Sequence, residues 1–120
     1  MRDFRKYSIW QESFGLVKEV YQVVNQLPSQ EKFGLASQMS RSAVSVPSNI
    51  AEGCARNSDV EFKRFLEIAL GSSFELETQL LLCVDLQLAD SESIQLLIEN
   101  IHRNQAGINS LIQKIKSSTR

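Results

Sequence analysis

Ser45-Val46-Pro47-Ser48-Asn49-Ile50-Ala51-Glu52-Gly53 sets a proline inside a stretch otherwise patterned as a helix, and the fate of that helix decides how many helices the chain has. Proline deletes the amide that would bond the carbonyl of Ala43 and costs about 3 kcal/mol in a helix interior, so either the helix breaks or its neighbours compensate. Ala36, Met39 and Ala43 before the proline keep the same apolar phase as Val46 and Ile50 around it. Gln38, Ser42, Ser45, Asn49, Glu52 and Arg56 fall on the opposite face, with Arg41 and Ser48 beside them. An unbroken phase predicts one kinked but continuous helix from about Glu31 to Cys54. Ser48 and Asn49 are placed to satisfy the freed backbone, and Gly53 would admit another backbone.

Upstream, Trp10, Phe14, Val17, Tyr21 and Val24 recur at helical steps, with Ile9, Leu16, Val20 and Val23 widening the stripe, which predicts a first amphipathic helix over Tyr7 to Leu27. Pro28 cannot continue it. Downstream, Ser58-Asp59-Val60-Glu61 fits the S-x-x-E capping box and starts a third helix near Asp59. Phe62, Leu66, Ala69, Ser73, Leu76, Leu80 and Cys83 then form a heptad stripe. A second line, Leu70, Phe74, Leu81, Val84 and Leu88, lies beside it and widens the apolar arc to on the order of 240°. One bundle core uses the first stripe, which leaves the second either facing outward as an oligomer interface or absorbed into a wider core. After a turn at Ala89-Asp90-Ser91, with Asp90 or Ser91 as cap, a fourth helix to about Lys116 carries Ile94, Ile98, Ile101, Ile108, Ile112 and Ile115. Gln105 stands at the one heptad position that should be apolar, next to Gly107, so looser packing is expected there.

These elements predict an all-α, antiparallel, up-down-up-down four-helix bundle, with residues 1–120 as a single domain. A formal net charge of -1 excludes an overall basic field, so contact with nucleic acid or an anionic membrane requires a local patch. The N-terminus lacks the apolar core of a signal peptide and no run approaches the ~18 apolar residues of a membrane span, which predicts a cytoplasmic protein without membrane contact. Cys54 and Cys83 show no ligand or redox spacing and read as small buried hydrophobes.

The arrangement of Arg41, the Ser45 to Gly53 stretch, Arg56, Glu61-Phe62, Phe65-Leu66 and Ala69-Leu70-Gly71-Ser72-Ser73-Phe74-Glu75-Leu76-Glu77-Thr78-Gln79-Leu80 resembles the four-helix-bundle family of 23S rRNA intervening-sequence proteins. The likeness spans nearly the whole chain. It implies a bacterial protein, an antiparallel bundle, and assembly into a homopentamer. Its motif positions here are Arg41, Ser45, Pro47, Asn49, Glu52, Gly53, Gly71 and Glu75. The chain also resembles the accessory proteins of diversity-generating retroelements, which contact nucleic acid and a reverse transcriptase. Those proteins are markedly basic, whereas this chain is slightly acidic.

Little in the sequence carries catalytic chemistry. Glu99 and His102 have the E-x-x-H spacing of di-iron bundles, but such a site needs two copies and further glutamates, and His102 is the sole histidine. No phosphate-cradling glycine motif is present, so neither enzyme activity nor a cofactor or metal is expected. On helix two, Glu52 and Arg56 have the favourable i,i+4 order, with Glu75 a partner across helices two and three, or these groups with Arg41 form a recognition surface. In an up-down-up-down bundle Arg2, Arg5, Lys6, Arg56, Lys63, Arg64, Lys114, Lys116 and Arg120 collect at one end against Asp3, Glu52, Asp59 and Glu61. Arg56, Lys63, Arg64, Lys114 and Lys116 are thereby the candidate contacts to RNA or DNA. The expected function is an oligomeric binding or scaffolding protein, with a protein-interaction adaptor as the alternative and a metal-dependent enzyme as a distant third.

Overall fold

The computed structural model describes residues 2–118, which form helices α1 (Ser8–Val24), α2 (Leu35–Cys54), α3 (Asp59–Asp85) and α4 (Ser91–Ser118). Short 3-10 turns at Phe4–Lys6 and Ser29–Glu31 precede α1 and α2. Each helix packs on its neighbours in sequence, and α1 also packs on α4, which closes an antiparallel up-down-up-down bundle.

Local chemistry explains the boundaries. The Ser58 hydroxyl accepts from the Glu61 amide at 3.2 Å and caps α3. At the other end of α3 the Leu88 amide donates to the Cys83 carbonyl at 2.9 Å, and Gln87 takes φ 57, so a glutamine fills the left-handed position that glycine usually occupies. Asp90 is the cap of α4, its Oδ2 accepting from the Ser93 amide at 3.2 Å. The second helix begins at Leu35 and not near Glu31, because the 3-10 turn takes up Ser29–Glu31 and the chain turns again through Gly34.

Helix α2 runs continuously through Pro47, as its apolar phase predicts. Asn49 does assist locally, but at a different group from the one expected: its Nδ2 donates to the Ser45 carbonyl at 2.8 Å and to Ser45 Oγ at 2.9 Å.

The core has two apolar halves. Val20, Val23, Met39, Leu80, Cys83, Ile94 and Leu97 belong to one. Ile9, Ile50, Cys54, Phe62, Leu66, Ile112 and Ile115 belong to the other, at the end that holds the α2–α3 turn. Between them, Ser13, Ser73, Asn104 and Gln105 form a buried polar belt. Asn104 Nδ2 donates to the Ile9 carbonyl at 3.0 Å, and Gln105 Nε2 donates to Ser73 Oγ at 3.1 Å and to Glu77 Oε1 at 3.0 Å. Packing is close at Gly107, where a Cβ would come within 2.9 Å of Ile9 Cγ2 and the glycine lets α4 approach α1, while a small void of about 10 Å³ lined by Ser13, Ser73 and Asn104 lies within the belt.

Helix α1 corrects the sequence expectation. Its buried face is Ile9, Ser13, Leu16, Val20 and Val23. Trp10, Val17 and Val24 are only half-buried, and Phe14 and Tyr21 are 61% and 43% exposed. Ser13 carries the buried face through the stripe because its hydroxyl bonds the Trp10 carbonyl at 3.1 Å, a local solution that hydropathy does not register. Among the described residues, no helix is long and apolar enough to cross a membrane.

Candidate functional site

Three surfaces combine chemistry-bearing or apolar side chains. The first is a groove of about 630 Å³ between α1 and α2, walled by Trp10, Phe14, Val17 and Tyr21 on one side and by Val44, Pro47 and Ala51 on the other. Its aromatic wall is ordered: Phe4 meets Trp10 edge to face at 5.0 Å, and Trp10 stacks on Phe14 at 4.9 Å. The sequence supplies these rings in helical phase, but the phase alone does not separate core from groove.

The apolar line expected to face outward from α3 is narrower than its spacing suggests. Leu70 packs on the core half beneath the α2–α3 turn, and Val84 packs on the other half. Leu88 lies beyond the end of α3 and is half-buried. Phe74 and Leu81 remain, 55% and 52% exposed, as a ridge on the flank of α3 where Glu77 meets α4.

The second surface is the basic end. Arg2 bonds the Arg56 carbonyl at 3.0 Å, pairs with Asp59, and lies over the Phe62 ring at 4.4 Å, tying the N-terminal segment to the α2–α3 turn. Most of these bases stand beside an acid: Arg56 by Glu52 at 2.8 Å, Lys63 by Glu67 at 3.3 Å, Arg64 by Glu61 at 3.9 Å and Arg5 by Asp3 at 3.8 Å. Arg56 and Arg64 also face the Phe65 ring, at 4.7 and 5.9 Å. The pairs lie at the surface, where each contributes about 0–1 kcal/mol, so a phosphate can displace the carboxylate at small cost. Lys114 and Lys116 are exposed on the last turns of α4, and Arg120 lies outside the described residues.

The third surface is a polar cleft of about 450 Å³ between α2 and α3. Arg41, Ser45 and Ser72 line it with Glu75 and Gln79. Ser45 Oγ and Ser72 Oγ stand 2.8 Å apart across the two helices. Among the described residues Glu75 forms no ionic link between helices two and three; a neutral hydrogen bond between Ser45 and Ser72 bridges them instead. Ser42, placed by its spacing on the polar face, is buried at the cleft floor. Of the remaining motif positions, Gly53 is pinned under α3, whereas a Cβ added at Gly71 would have nothing within 4 Å.

His102 does not join Glu99. Its Nε2 meets Glu77 Oε2 at 2.8 Å, and Glu77 also accepts from Gln105. Burial alone would raise the Glu77 pKa, but the hydrogen bonds from His102 and Gln105, with the His102 charge, outweigh it and hold the carboxyl below the usual glutamate value. Burial pushes both cysteine thiols up, which disfavours the reactive thiolate. Among the described residues, no group of three or more His, Cys, Asp or Glu is arranged to hold a metal ion.

A family model described as 23S rRNA-intervening sequence protein matches residues 5–110. A crystallised protein of unknown function from Bacteroides thetaiotaomicron, described as belonging to the S23 ribosomal protein family, has a similar fold with a TM-score of 0.81. It is 23% identical, over 88% of this chain and 95% of that one. None of the curated proteins matches.

Proposed function

Since this chain belongs to the 23S rRNA-intervening sequence protein family, we propose that it works without catalysis, as a self-assembling scaffold that offers a basic end to nucleic acid. The observation that carries this reading is the aromatic groove between α1 and α2. Burying one large apolar side chain contributes about 1.5–3 kcal/mol, and soluble monomers seldom leave a continuous apolar surface of this kind in water.

Its occupant is a second copy of the chain, through the ridge of Phe74 and Leu81. Groove and ridge are different surfaces of one molecule, so the contact is head-to-tail and repeats until a ring closes. Five copies is the number that the family resemblance implies. In such a ring the basic ends lie together, and the field of Arg56, Lys63, Arg64, Lys114 and Lys116 is multiplied by the number of subunits.

Light scattering at micromolar concentration tests the assembly: a wild type running at 13.6 kDa would reject it. Binding of a fluorescent single-stranded RNA at low salt tests the basic end. Charge reversal at Lys63, Arg64, Lys114 and Lys116 should abolish binding, and rising salt should weaken it steeply. An oligomer with no RNA affinity at low salt would leave the protein-interaction adaptor as the better reading.

A further inference from the structure

Of the residues that wall the aromatic groove, only Lys18 is charged. It is the sole lysine or arginine of α1, and no acid stands three or four positions from it along that helix. Among the described residues its ammonium has no ionic partner. In the open groove the ammonium is solvated. A helix that covers the groove strips that water away, so a complementary occupant brings a carboxylate to this point.

The ridge on α3 carries one at the corresponding place. Among the exposed large apolar side chains of the described residues, only two pairs lie seven positions apart: Phe14 with Tyr21, and Phe74 with Leu81. Seven residues make two helical turns, about 10.5 Å, so both pairs present anchors at the same spacing. Lys18 stands between the first pair and Glu77 between the second. Helices α1 and α3 run the same way in the bundle, and a ring with its basic ends together keeps α1 parallel to α3 of the next copy. Setting Phe14 level with Phe74, and Tyr21 level with Leu81, leaves Lys18 and Glu77 one residue, about 1.5 Å, out of level. The four-carbon stem of lysine spans that offset. Glu77 also has room for another donor: one oxygen accepts from Gln105, the other meets His102, and the side chain is 23% exposed.

We propose that Lys18 selects what enters the groove, its ammonium pairing with the Glu77 carboxylate of the next copy. This rests on the ridge-and-groove assembly and adds the charge that sets its register. A ridge displaced by one turn would seat Phe74 or Leu81 against Lys18 and leave the ammonium covered without an acid.

Sedimentation velocity on the full chain over a dilution series tests the pairing. Lys18→Glu changes an exposed side chain and should leave monomers at concentrations where the wild type assembles, whereas Lys18→Arg should keep assembly. A Lys18→Glu protein that assembles like the wild type overturns the proposal. Lys18→Met is then measured with Glu77 present and in Glu77→Gln, which removes from the comparison any effect of Glu77→Gln on its own subunit. The factor by which Lys18→Met changes the assembly constant should be about tenfold less favourable with Glu77 present, and a difference below about threefold overturns the pairing. That result in an assembled wild type leaves the ridge-and-groove reading standing. A wild type that stays monomeric rejects both and leaves the groove to a foreign helix with an acid between two apolar anchors.

Discussion

Gly53 lies directly beneath Phe65: a Cβ on the glycine would come within 2.8 Å of the phenylalanine Cβ and 3.3 Å of the Phe62 carbonyl oxygen. Neither atom is the far end of a flexible side chain, so α2 and α3 would have to separate. Gly53→Ala is expected to destabilise the bundle by about 1–3 kcal/mol despite its gain in helix propensity. Gly71→Ala meets open space and should stabilise the isolated subunit by about 0.5–1 kcal/mol. Chemical denaturation of the two variants checks the contrast, and similar midpoints would refute the packing argument.

Pro47 is buried within a continuous α2 and helps wall the aromatic groove. Pro47→Ala restores an amide but removes ring atoms from that wall. The gain should therefore stay well below the ~3 kcal/mol that helix propensity alone suggests. A rise in Tm matching the full propensity difference, with oligomeric mass unchanged, would mean that the ring contributes nothing to either packing or assembly.

Glu77 makes stability depend on pH with a definite sign. Its carboxyl is held below the usual value in the folded state, so the unfolded chain binds protons first as pH falls. The stabilisation is complete above the usual glutamate pKa of about 4.3 and is lost as pH drops through the lower folded value. The Tm penalty of Glu77→Gln should be largest near neutrality and should shrink in acid. A penalty of equal size at all pH values would assign it to shape and not to charge.

Head-to-tail assembly makes a prediction that a two-fold contact does not. Phe14→Glu with Tyr21→Glu disables the groove, and Phe74→Glu with Leu81→Glu disables the ridge. Each double variant alone should be monomeric. Mixed, they retain one working groove and one working ridge between them, and should form dimers that cannot grow further. Sedimentation velocity reads the outcome: full-size rings from the mixture, or no association at all, would exclude this pairing of surfaces.

The helices and their order are legible in the sequence because the apolar spacing of α2, α3 and α4 is regular, and the caps at Ser58 and Asp90 have recognisable side chains. Pro47 does not obscure α2, since the phase on either side is the same. Three features are hidden for physical reasons. Serine can occupy a core position when its hydroxyl bonds its own helix, so the buried face of α1 is displaced onto Ser13 and its neighbours. Gln105 reads as a loose point in the core because its partners Ser73 and Glu77 lie on another helix, distant in sequence. The cleft around Gln79 is invisible because a lone glutamine in α3 gives no sign of burial until α2 covers it.

The belt of Ser13, Ser73, Asn104 and Gln105 has a consequence for which bundle the sequence can form. Apolar heptads are nearly interchangeable, and a bundle made only of them tolerates one helix sliding past another by two turns. Such a slip here would carry the Gln105 amide from Ser73 into a layer of leucines, Leu66 or Leu80, and strand it in hydrocarbon. Each stranded amide costs roughly 1–3 kcal/mol, and the Asn104 bond to α1 would be lost with it. The belt therefore acts as an index mark along the bundle axis, separating the native alignment from its near-degenerate competitors by a gap that the hydrophobic effect alone does not supply.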